Sequence, residues 1–174
     1  MRILFLSQIV PYPPHGGVLQ RGYNLLRELG RRDTVHLLAY VHPDTLPTPS
    51  ALQDSRADLG RFCASLEYFR LWPKASRFHR VAALAASTWS RQPFSVIAHR
   101  SAAFRRRAHA ILAVGDIDVV HVDTLALWPF VPQRRHVPAV LTHHNIESQL
   151  MARRAEAETN RLARAFLRRE ARKQ

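Results

Sequence analysis

Cysteine is almost absent, Cys63 standing alone in 174 residues. A single thiol excludes both an intramolecular disulfide framework and a zinc-ribbon spacing. Lysine is nearly as scarce: Lys74 and Lys173 are the only lysines among 26 basic residues, the rest being arginine. No apolar run approaches the roughly 18 residues that a membrane-spanning helix needs. The opening Met1-Arg2-Ile3-Leu4-Phe5-Leu6 has the look of a leader. Ser7 and Gln8 interrupt it, however, and Pro11, Pro13 and Pro14 follow without a small-residue cleavage site, so it reads as a buried strand of a cytoplasmic protein. There is no Gly-x-Gly-x-x-Gly or Walker loop, which leaves nicotinamide and P-loop nucleotide chemistry poorly supported. Internal repeats and a Gly-x-Ser-x-Gly nucleophile elbow are missing too.

Acids are few. Only 13 Asp and Glu oppose the basic residues, and the net charge is +13. Such a balance favours anionic partners, whether nucleic acid, anionic lipid or phosphorylated substrates, without choosing among them. The remaining composition, 47% hydrophobic and 22% charged, is that of one globular domain able to bury its own core.

The chain order is that of an α/β protein. Residues 2–7 form a continuous apolar run ended by Pro11-Tyr12-Pro13-Pro14-His15-Gly16-Gly17, the pattern of an interior parallel strand and its loop. Val18, Gly22, Leu25, Leu26 and Leu29 then recur at helical spacing, and Gly30 with Arg31 and Arg32 makes a stop signal. Strand composition returns at Thr34 to Val41. This is a βαβ unit opening a Rossmann-like, doubly wound parallel sheet flanked by helices. Helices are expected over 50–63, 76–87 and 95–113, with Pro93 as breaker, and a strand over Leu66 to Leu71. Two further strands follow at 116–123 and 137–142. From Ile146 a single long Arg- and Ala-rich helix pattern runs to the end.

In an open parallel sheet, ligands sit beyond the carboxyl ends of the strands. Three polar clusters fall there: His15-Gly16-Gly17, His121-Val122-Asp123, and His143-His144-Asn145-Ile146-Glu147. The glycines let a bulky anionic or polyhydroxyl ligand approach the backbone. His121, Asp123, His143 and His144 are of metal-ligating type, but their spacing matches no zinc signature, and a structural hydrogen bond is the commoner role for such histidines. Arg100, Arg105, Arg106 and Arg107 read either as a phosphate or membrane site or, more commonly for such a run, as a solvated helix face. Cys63, between Phe62 and Ala64, reads as a packing residue.

Taken in order, Met1 to Gly17, Val18 to Gly30, Asp33 to Ala39, Asp118 to Asp123 and Pro138 to Glu147 resemble the N-terminal domain of family 4 retaining glycosyltransferases of GT-B architecture, exopolysaccharide type. The stretch from about 43 to 92 matches poorly. The resemblance implies a cleft between two Rossmann-like halves, the first receiving a glycan or lipid-linked acceptor and the second holding a nucleotide-sugar donor, in cell-surface polysaccharide synthesis. By position, Gly16 and Gly17, with His15, line the cleft near the donor. Asp123 takes the place where many relatives carry a histidine touching the transferring sugar, with His121 beside it. His143, Asn145 and Glu147 line the acceptor side. No metal or other cofactor is implied. Residues 1–174 are then expected to be one Rossmann-like domain, incomplete at its C-terminus and lacking the donor half, and inactive alone. The arginine-rich tail (Arg153, Arg154, Arg161, Arg164, Arg168, Arg169, Arg172 and Lys173) is either a contact for an anionic membrane, on the inner face of the plasma membrane, or a solvated or domain-packing helix offset by Glu147, Glu156, Glu158 and Glu170. Two rival classes remain. A nucleic-acid-binding module fits the charge but lacks interleaved aromatics and any DNA or RNA motif, so no nucleic-acid partner is expected. A nucleotide-sugar epimerase would share the same architecture.

Overall fold

The alternating burial of the strands is what organises the molecule. A computed structural model describes residues 1–71, 77–133, 136–143 and 146–173. The first strand, β1 (Arg2–Ser7), sits in the middle of a five-stranded parallel sheet with β2 (Thr34–Val41), β3 (Ser65–Arg70), β4 (Val119–Val122) and β5 (Ala139–Leu141), in the order β3-β2-β1-β4-β5. Leu4 pairs in register with His36 on one side and Val120 on the other. The fold is α/β and Rossmann-like, as the chain order predicts.

Because side chains alternate across a strand, the two faces of β1 seed two cores. Ile3 and Phe5 pack with Val35, Leu37 and Ala39 under α1 (Gly17–Gly30) and α2 (Pro49–Leu59), where Leu26, Leu59 and Cys63 are also buried. Leu4 and Leu6 face the other way, packing with Leu38, Tyr40, Val120 and Val122 against Phe104 and Ala108. Those last two belong to α5 (Ala102–Ala113), which follows α3 (Arg77–Trp89) and the short α4 (Phe94–Ala98). A 3-10 turn over Leu125–Phe130 closes this second core with Leu127 and Phe130. Phe104 is its centre, stacked on Tyr40 at 4.7 Å and edge-on to Phe69 at 4.9 Å.

The chain departs from the sequence expectation in two places. The helix expected over 95–113 is two helices, because Ser101 caps a new start by accepting from the Phe104 amide while His99 turns into the core. The long C-terminal helix is also two, α6 (Glu147–Ala157) and α7 (Arg161–Ala171), since Asn160 accepts from the Leu162 and Ala163 amides and restarts the helix. An apolar-polar pattern without Pro or Gly hides such a break, because Asn costs little inside a helix pattern and is strongly preferred at its start. Gly30 stops α1 as the sequence predicts. It is the last residue of α1, and a Cβ there would lie 2.1 Å from the Phe62 carbonyl oxygen, so the glycine serves close packing.

α7 is pinned by a buried ion pair. Glu170, 2% exposed, accepts from the Ser87 hydroxyl of α3 at 2.7 Å and from the Phe94 amide of α4 at 2.5 Å. Lys173 donates to Glu170 at 2.5 Å and to the Ser87 carbonyl at 2.6 Å. Of the alternatives that the arginine-rich tail leaves open, a membrane contact or a solvated or packing helix, these two residues take the packing one. No helix among the described residues is long and apolar enough to cross a membrane.

Candidate functional site at the strand-order reversal

After β1 the chain moves to β2 and β3; it returns through α3, α4 and α5 to lay β4 on the other side of β1. The carboxyl ends of β1 and β4 therefore form the crevice where loops diverge to opposite faces, the place in such sheets where ligands bind. Two side chains meet there. The Ser7 hydroxyl lies 3.2 Å from Asp123 Oδ2 and 2.8 Å from the Ile9 carbonyl, and the Asp123 amide donates to the Leu6 carbonyl at 3.0 Å. Asp123 is 2% exposed, a carboxylate buried at the carboxyl end of β4.

The loop after β1 carries His15 and Gly16, and Gly17 opens α1; all three are exposed. Gly16 has φ +81°, a left-handed conformation that favours glycine, and it precedes the first turn of α1, which contains no acid. A Cβ at either glycine would meet nothing within 4 Å, so open space lies over this backbone. The Tyr12-Pro13 peptide is cis.

His121 sits one step inside β4 rather than at its end. Its imidazole stacks on Phe5, with centroids 4.3 Å apart, and pairs with the Thr142 hydroxyl across to β5 at 3.3 Å. His143, just beyond β5, is exposed, and Glu147 opens α6 half-buried. The structure thus brings Ser7 and Asp123 together and puts His15, Gly16 and His143 in loops, and Gly17 at the start of α1, on the same edge of the sheet. Asn145 and His144 lie outside the described residues. Among the described residues, no group of three or more His, Cys, Asp or Glu is placed to hold a metal ion.

A further histidine, which sequence reasoning passed over, is buried in the core. His99 is buried next to Tyr40, its Nδ1 2.7 Å from the Ser95 carbonyl. Burial is the main reason its imidazole is held down at about 4. His42 Nε2, from the loop after β2, meets the Gln8 carbonyl at 3.1 Å. Nothing in the local sequence marks His99, because the apolar setting is supplied by residues far along the chain.

The fold and crevice define a Rossmann-like α/β domain whose polar residues gather at the strand-order reversal. Comparison with protein-family models, curated proteins and solved structures finds no match for this chain.

Proposed function

We propose that this chain is the acceptor-side half of a retaining glycosyltransferase of GT-B architecture, moving a sugar from a nucleotide-sugar donor to a glycan or lipid-linked acceptor in cell-surface polysaccharide synthesis. The observation that carries the reading is the crevice itself: a carboxylate, Asp123, braced by Ser7 at the β1/β4 reversal, beside a glycine loop that leaves open space for a polyhydroxyl ligand. A fixed carboxylate at such a position accepts hydrogen bonds from sugar hydroxyls and stabilises the positive charge of an oxocarbenium-like sugar. His15, Gly16 and Gly17 are assigned to the donor side. His143, Asn145 and Glu147 are assigned to the acceptor, and His121 to holding the β4–β5 edge beneath it. In this reading the donor is gripped mainly by a second Rossmann-like half, and no metal takes part.

The exposed arginines of α6 and α7, Arg153, Arg154, Arg161, Arg168, Arg169 and Arg172, offer a contact for the anionic membrane that carries such an acceptor. Vesicle co-sedimentation that is indifferent to anionic lipid content would sink that part.

The test is a panel of radiolabelled nucleotide sugars given to the product of the complete reading frame, with membrane extract as acceptor. Acceptor-dependent release of nucleoside diphosphate, lost in Asp123→Asn, is expected, and the 174-residue chain alone should release none. Change of the sugar without any acceptor would instead make the protein an epimerase and overturn the transferase reading.

A further inference from the structure

The Arg100–Arg107 run resolves into unlike parts once folded. Arg107 is committed to an ion pair with Glu67 at 2.6 Å. Arg100 and Arg105 instead line one depression of about 410 Å³, together with Gln92, Ser101, Ala102 and Phe130. No acid lines it. Arg100 Nη2 donates to Gln92 Oε1 at 2.5 Å, which fixes its guanidinium at the rim, and Arg105 has no ion pair among the described residues.

The floor is held in place by the core. The Tyr40 hydroxyl donates to the His99 carbonyl, the residue before Arg100, and the Tyr40 ring stacks on Phe104 in the first turn of α5. The backbone that carries both arginines is thereby tied to β2 at two points. Because α5 runs back along the sheet into β4, its N-terminus lies at the carboxyl edge, the same edge as Ser7 and Asp123. The Ser101 hydroxyl accepts from the Phe104 amide, so the first-turn amides of Ala102 and Ala103 add their partial positive charge to that of the two guanidinium groups.

We propose that this depression is a phosphate-binding site, taking the terminal phosphate or pyrophosphate group of a phosphorylated ligand between Arg100 and Arg105. The chemistry follows from the donor set: guanidinium forks match phosphate oxygens, and a preorganised cationic pocket without a carboxylate repels nothing anionic. The site stands on its own residues and not on the transferase reading. Within that reading it receives the phosphate of the donor or of a lipid-linked acceptor.

Isothermal titration of the 174-residue chain with inorganic pyrophosphate tests it, beside Arg100→Gln, Arg105→Gln, the double variant, and Arg32→Gln, an exposed arginine just beyond α1, as a control for diffuse charge. Saturable binding is expected, weakened about tenfold by either single substitution, abolished by the pair and unchanged by Arg32→Gln. Circular dichroism melts of each variant establish that the fold is retained. Phosphatidylcholine vesicles with and without phosphatidic acid form the second arm. Vesicle binding that depends on both arginines supports the site with a lipid phosphate as its source, whereas pyrophosphate binding alone supports it with a soluble one. No saturable pyrophosphate binding, or binding equally weakened by Arg32→Gln, overturns the proposal whatever the fate of the sugar-transfer assay.

Discussion

His99 shows how one side chain ties stability to pH. Its imidazole, ordinarily near 6.5, is held at about 4 mainly by burial. Between those values the unfolded chain takes up a proton that the native state refuses. The contribution is therefore complete above about pH 6.5 and is lost as the pH falls towards 4, by on the order of 3 kcal/mol. Urea unfolding followed from pH 7.5 to 4.5 checks this, and His99→Leu should flatten that part of the profile. Cys63 is the opposite case, a thiol that burial pushes up to about 12. It should resist Ellman's reagent in the native protein and react fully in denaturant; prompt native reaction would mean that the α1–α2 layer opens readily. Gly30 makes the third residue-level test. Gly30→Ala forces a methyl group onto the Phe62 backbone and should cost about 1–3 kcal/mol, whereas a mere helix-stop role would make alanine neutral or stabilising.

Among the elements, α7 depends most on a single cluster. Glu170, Lys173 and Ser87 are a buried network, and breaking one partner leaves the other charge desolvated. Lys173→Met should destabilise by about 3–5 kcal/mol, with amide exchange in 161–171 rising before that of the sheet. Uniform exchange across all elements would show that α7 is no weaker than the core. Asn160→Ala, which removes the cap, should cost about 1 kcal/mol and leave the sheet's exchange unaltered. At this scale the sequence was readable where packing and pattern agree. β1 and β2 follow their apolar runs from end to end. The breaks at His99 and Asn160 were not readable, because each depends on a hydrogen bond or a burial whose energy comes from outside the helix.

Across the whole molecule the positive charge exceeds what ion pairing can take up, since 26 basic residues oppose 13 acids. Most of the described arginines face water, and a net charge of +13 repels itself in the compact state. Raising sodium chloride from about 20 mM to 300 mM, which shrinks the screening length towards the spacing of surface charges, should raise the melting temperature by a few degrees. A lower melting temperature would show that the surface ion pairs, Arg2–Asp116 and Arg107–Glu67 among them, outweigh the repulsion. The same charge explains why composition alone left phosphate, lipid and nucleic acid equally open. Diffuse charge carries no geometry, and only the fold separates the paired Arg107 from Arg100 and Arg105.

By itself the sequence determined the α/β class, the central strand and its glycine loop, and the polar residues that end β4 and β5. Those features are local: period-two burial, a left-handed glycine and a helix register are written in a few consecutive residues. Only the tertiary structure decided that Ser7 meets Asp123, that His99 is buried, and that Glu170 and Lys173 belong to the interior. Each joins segments tens of residues apart or more, and their energies arise from desolvation and close packing, which no single stretch of chain contains.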